Sequence, residues 1–174
     1  KIKILDLITS AYIGVLRGTP ILLQLYFFYF MLPKALPFIL SDTACIVIAL
    51  IINASAYVAE IVRAGIQAVD KGQVEAARSL GLSSANTMKK IILPQAVKNI
   101  LPALGNEYIS MIKQTSLASV FFVQELMTSQ KTVQSATFLA IPSLIIAGII
   151  YLIVTTLLSK GLSLFERRLQ ANEA

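Results

Sequence analysis

Asn53, Tyr57 and Glu60 stand at i, i+4 and i+7 inside an apolar run, so a helix there presents an amide, a phenol and a carboxylate on one face. Asn106, Ser110 and Lys113 repeat the spacing, Glu107 and Gln114 form a neighbouring stripe, and Thr115 and Ser116 follow directly. Gln24 is the main polar group of an earlier apolar run. Such groups suit the non-covalent binding of a zwitterion that carries an ammonium group. Ionisable side chains at bilayer depth cost from roughly 2.5 kcal/mol upward, which makes them functional candidates by default. A structural account stands beside this one: amides and hydroxyls bond between membrane helices, and Glu60 and Lys113 are potential partners for each other. Covalent chemistry has little to work with. The chain has no histidine, a single cysteine (Cys45) and no glycine-rich phosphate loop, which leaves an intramembrane enzyme without a nucleophile–base pair.

The elements that must position these groups are membrane helices. Of 174 residues, 56% are hydrophobic and only 14% charged, and the mean hydropathy is +0.76, far from the roughly one-quarter charge of soluble domains. Four runs of about the length a bilayer requires cover residues 14–32, 43–62, 103–123 and 138–158. The net charge of +6 does not indicate nucleic acid. Its basic residues concentrate in Lys1–Arg17, Arg63–Lys98 and Lys160–Arg168, with Lys34 and Lys131 in the intervening connections. That alternation is the positive-inside pattern, and it places residues 63–102 and the C-terminal tail in the cytoplasm. The aromatic run Tyr26–Phe30 reads as packing, and Gln124 and Glu125 fall near the outer face as contacts for an external partner.

Within the cytoplasmic loop, Asp70 with Gln73 has the form of a capping box, and Glu75 lies in the early turns, where a helix dipole favours an anion. Ala76 and Ala77 allow close approach of a partner, Arg78 offers ion pairs at the rim, and Gly81 is suited to end the helix in the left-handed region. Ser84 is placed to cap a second helix bearing Met88, Ile91, Ile92 and Gln95, with Pro94 interfering at its end.

The pattern Glu75-Ala76-Ala77, three residues, Gly81, nine residues, Ile91-Ile92-Leu93-Pro94 resembles the EAA loop of bacterial ATP-binding-cassette importer permeases. Arg17-Gly18-Thr19-Pro20 with Gln24-Leu25, the run Ala56–Arg63, and Lys113-Gln114-Thr115-Ser116-Leu117 are similar to the polar amino-acid branch of that family, with Gln114 where an acid is commoner. The resemblance covers nearly the whole chain. It implies an all-α integral membrane protein with the type I importer permease fold, four spans here and a fifth upstream, in the bacterial cytoplasmic (inner) membrane. It also implies a second permease subunit, identical or paralogous, two ATPase subunits that bind the ATP and Mg, and an external amino-acid binding protein. Lipid surrounds the assembly and nucleic acid plays no part. Glu75, Ala76, Ala77, Arg78 and Gly81 would couple to the ATPase. Gln24, Asn53, Tyr57, Glu60, Lys113, Thr115 and Ser116 would line the substrate pathway. An ATP-independent channel or secondary transporter is the alternative, and the capped, Ala-rich cytoplasmic helix argues against it.

Overall fold

The computed structural model describes residues 3–37 and 39–171, the last four of these by backbone only. Lys1 and the side chain of Arg168, both part of the charge pattern, lie outside that description. The described residues are built from helices: α1 (Lys3–Gly18), α2 (Ile21–Ala35), α3 (Asp42–Gln67), α4 (Lys71–Ser79), α5 (Ser84–Thr87), α6 (Leu93–Gln114), α7 (Leu126–Thr137) and α8 (Ala140–Ala171). Two of them, α3 and α8, are long and apolar enough to cross a membrane, and α1 with α2 counts as a third if the bent pair is one span.

The helices depart from the expected boundaries at places where the backbone dictates it. The run 14–32 is not one helix. Gly14–Gly18 belongs to α1, and α2 leaves it at 110°. Pro20, extended at φ −61° and ψ 133°, lacks the N–H that would continue the ladder and biases Thr19 away from the helical region. The helix expected over 43–62 continues to Gln67 and that over 138–158 to Ala171. The run 103–123 is entered ten residues early, because α6 starts at Leu93. It stops being α-helical at Gln114 and tightens into a 3₁₀ stretch, Thr115–Phe121. The connection after it contains a helix not foreseen, α7, capped by Glu125, whose carboxylate accepts from the N–H groups of Met127 (2.8 Å) and Thr128 (2.6 Å). Glu125 therefore serves the fold locally, where an external contact was expected.

Pro94 does not end the second loop helix. Between Met88 and Ile92 the chain widens into a π turn, in which Leu93 N–H donates to the Met88 carbonyl five residues back. Proline is then accepted in the first turn of α6, where its missing N–H costs nothing. The loop consequently runs into α6 without a break; α6, which covers much of the span expected at 103–123, is not among the described helices that are long and apolar enough to cross a membrane.

Two apolar clusters hold the bundle. Leu25, Ile46, Ala49, Leu50, Ala118 and Phe121 join α2, α3 and the 3₁₀ stretch, and Tyr26 and Tyr29 pack their rings 4.8 and 4.9 Å from that of Phe121. Val69, Ile92, Ala96 and Ile100 tie the end of α3 to the root of α6. Small residues set how close the helices come. A Cβ at Gly65 would collide with Cγ1 of Ile100 and lie 3.4 Å from the Ala96 carbonyl, and one at Gly105 would strike Leu162 of α8. Gly65→Val should therefore lower the unfolding midpoint of the purified complex, by the equivalent of about 1–3 kcal/mol for an overpacked contact. Gly14→Ala, where the added methyl meets nothing within 4 Å, should be neutral or slightly stabilising. Equal midpoints for the two variants in a thermal scan would show that the α3–α6 contact is not tight.

Candidate functional site: a projecting loop and three polar clusters

The loop is closed on itself by local hydrogen bonds. Asp70 Oδ1 accepts from Gly72 N–H at 2.7 Å, while Gln73 N–H donates to the Asp70 carbonyl, so the cap is an Asx-type turn and not the box predicted. At the far end Gly81, with φ +80°, takes the C′ position: its N–H donates to Arg78 O and that of Leu82 to Ala77 O, the paired bonds of a Schellman motif. Ser83, not Ser84, caps α5 by accepting from Asn86 N–H. Ser84 instead receives the Arg78 guanidinium at 3.0 Å, which also donates to the Leu82 carbonyl. Arg78 thus pins the α4–α5 turn.

The two alanines differ. Ala77 is buried within the loop, whereas Ala76 is exposed beside exposed Glu75. Close approach of an outside partner falls to Ala76 alone. Leu80, 83% exposed in a turn whose other leucine, Leu82, is half-buried, joins that outer surface. Sequence reasoning passed over it, though a leucine between a helix and its terminating glycine was the available signal.

The seven candidate pathway residues do not form one site. Gln24 and Asn53 meet as a buried pair: Asn53 Nδ2 donates to Gln24 Oε1 at 2.9 Å, and Gln24 Nε2 donates to the Leu16 carbonyl (2.8 Å) and Thr19 Oγ1 (2.8 Å). The Leu16 carbonyl is among those left over at the end of α1, so this amide caps the helix and clips the bend to α3.

Tyr57 and Glu60 face the end of α1. The Arg17 guanidinium sits 5.7 Å from the Tyr57 ring centre and its Nη1 lies 3.2 Å from Glu60 Oε2. Arg63 also bonds both Glu60 oxygens and reaches Gln67. Glu60 thus pairs with arginines, and Lys113 is not its partner. The Arg17 contribution was missed, although the residue had been noted as part of a motif.

Lys113 and Ser116 line a third region, an open groove of about 490 Å³ shared with Ser119, Lys131 and Tyr151. Thr115 is not in that lining and spends its hydroxyl on the Ile112 carbonyl at 2.7 Å. On α6, Asn106 bonds back to Pro102 O, and Glu107 Oε1 is buried with no hydrogen-bond partner among the described residues.

A helical bundle with membrane-length apolar helices, polar groups clustered at several depths and a self-capped polar loop defines a membrane transport subunit. Residues 2–171 match the family described as binding-protein-dependent transport system inner membrane component, and the chain belongs to that family. It is a permease, the integral membrane subunit of an ATP-binding-cassette transporter. Among its relatives is the arginine transport system permease protein ArtQ of Bacillus subtilis (strain 168), 42% identical over 95% of this chain and 76% of that protein. Another is the probable glutamine ABC transporter permease protein GlnM of the same organism, 40% identical over 97% of this chain and 77% of its own length. A solved structure, an amino acid ABC transporter with histidines, superposes with a TM-score of 0.90 at 51% identity, covering 97% of this chain and 78% of that one. The MetNI methionine ABC transporter, at 17% identity and TM-score 0.75, shares the fold.

The Gln24–Asn53 pair yields a stability test. Asn53→Leu leaves the Gln24 oxygen buried and unmatched, which should cost about 1–3 kcal/mol and lower the unfolding midpoint. Adding Gln24→Leu in the same chain should not recover that loss, because it also takes the donor from the Leu16 carbonyl. A midpoint indifferent to Asn53→Leu would mean that the amide pair does not hold the bend.

Proposed function

We propose that this chain is the membrane-spanning subunit of an ATP-driven importer that moves polar amino acids across the bacterial cytoplasmic membrane by alternating access. The observation that carries the coupling part is the α4 surface: Glu75, Ala76 and Leu80 are exposed on a helix whose own ends are already satisfied. A helix finished internally and still presenting an apolar and an acidic group is prepared for a partner. The amino-acid cargo is supported by the relatives, which include permeases named for arginine and glutamine transport.

In this reading ATP and Mg are held by two separate ATPase subunits and this chain carries no cofactor. A second permease copy or paralogue completes the pore, and an external binding protein delivers the cargo. Closure of the ATPase dimer moves α4, and the movement enters α6 through the π turn. Ala77 and Arg78 keep the loop rigid enough to transmit it, while Glu75, Ala76 and the Gly81 exit form the contact.

The test is uptake of labelled amino acids by the permease reconstituted with its ATPase and binding protein. Uptake should require ATP, and transport that persists without ATP would overturn the reading. Glu75→Lys reverses a contact charge and Gly81→Asp adds a side chain and a negative charge at a contact position held at φ +80°. Each should cut ATP-driven uptake by at least about tenfold, the effect of losing one charge-assisted contact, while the protein still inserts. Wild-type uptake in both variants would remove α4 as the coupling element.

A further inference from the structure

Where the π turn meets α6 the hydrogen-bond ladder changes spacing, and the change leaves acceptors over. Leu93 N–H donates to the Met88 carbonyl, while the Ile92 carbonyl, at the N-cap, takes the first bond of α6. The Lys89, Lys90 and Ile91 carbonyls lie between those two bonds. The backbone N–H groups that could reach them belong to residues 94 and 95, and Pro94 has none. Three carbonyls therefore share one backbone donor, that of Gln95.

The side chain of the same residue makes up part of the shortage. Gln95 Nε2 donates to the Ile91 carbonyl at 3.0 Å, so residue 95 brings a second N–H where residue 94 brings none. Lys89, Lys90 and Gln95 are exposed, whereas Ile92 and Ala96 are buried in the cluster with Val69 and Ile100. Apolar packing thus grips the turn on its buried side, and this amide grips it on the side that faces water. What the turn fixes is an angle. A helix advances about 100° per residue, so the extra residue of a π turn sets the azimuth of α4 about the α6 axis. An α ladder through the same residues would swing α4 by about that much. The Pro94 ring, which collides with the carbonyl four residues back, opposes that ladder. Pro94 closes off the α register and the Gln95 amide completes the π register.

We infer that Gln95 is a positioning residue of the coupling step: its side-chain amide holds the joint between the loop and α6 in one register, so that α4 keeps its orientation when it is pushed. The inference rests on the importer reading above. Gln95 acts through the backbone of its own chain, at the point where a displacement of α4 must pass into α6. It entered the sequence reading only as a residue borne by the second loop helix. The shortage of donors that gives it work arises from the π turn.

The test uses the permease assembled with its ATPase and binding protein in nanodiscs. Gln95→Met keeps the length of the side chain and removes the donor. Gln95→Asn keeps a donor, and Asn106, which bonds Pro102 O at 3.1 Å, shows that an asparagine amide reaches the carbonyl four residues back. In Gln95→Met, the ATP hydrolysed per amino acid taken up should rise about two- to tenfold, the worth of one hydrogen bond. ATPase binding and the unfolding midpoint should stay close to wild type. Gln95→Asn should restore much of the coupling. Exchange of the Ile92 and Leu93 amides, followed by mass spectrometry, should quicken in Gln95→Met. The same change should quicken it less in a Pro94→Ala background, which supplies the missing backbone N–H. An unchanged ATP requirement, an equal quickening in both backgrounds, or lost ATPase binding that accounts for lost uptake would each overturn the inference and leave the importer reading standing. Uptake by the wild-type complex that needs no ATP would remove the importer reading, and the role of Gln95 with it.

Discussion

The hydrogen bond from Asn53 to Gln24 is small, yet three helices depend on it. The 110° bend between α1 and α2 frees carbonyls at the end of α1 and removes a donor at Pro20. In lipid those groups cannot turn to water, so a side chain must satisfy them. The Thr19 hydroxyl donates to Val15 O at 2.8 Å and Gln24 Nε2 to Leu16 O, which leaves Gln24 Oε1 facing α3. Asn53 answers it. The polar bracket then fixes the register in which Leu25 meets Ile46, Ala49 and Leu50, and those residues receive Phe121. Apolar packing alone would tolerate a slide along the helices; a buried amide pair does not.

The second dependency runs from the loop. A proline after a helical turn is ordinarily read as a stop, and here the π turn converts it into a join. Because Leu93 N–H reaches back to Met88 instead of Lys89, the backbone enters α6 with Pro94 already in a tolerated position. Val69, Ile92, Ala96 and Ile100 then cement the junction to α3. In the proposed coupling, a displacement applied at α4 would reach α6 and α3 together through this junction. A flexible linker at the same place would dissipate it.

Much of this was legible in the chain. The helical class followed from hydropathy, and Asp70 and Gly81 marked both ends of α4 because capping is local chemistry. The bend at Gly18-Thr19-Pro20 was written in the residues and misread, since apolar density on both sides masked the broken ladder. The π turn was not legible, because proline tolerance depends on hydrogen bonds shifted by one residue. The polar clusters were legible as residues and not as sites. Helical spacing grouped Asn53, Tyr57 and Glu60, yet Asn53 turns to α2 and Glu60 to α1 because different neighbours meet successive turns of one face. Lys131 and Arg17 could be found only once α7 and α1 were placed.

The charged groups also sort by what the fold has done with them. Glu60 is shared by Arg17 and Arg63 where α1 and α3 meet, a set that keeps one net positive charge, and a carboxylate with two partners supplied by the chain has little left for a passing ligand. Lys113, by contrast, has no such partner among the described residues, and Lys131 has only neutral ones. Glu107 Oε1, on the same helix as Lys113, is buried with no donor among the described residues. A chain that could pair its charges near α1 and did so has left these others open. An exposed ammonium is satisfied by water and costs the fold little, whereas a buried carboxyl oxygen without a donor is expensive, so Glu107 is the member of this set that the packing around α6 must compensate.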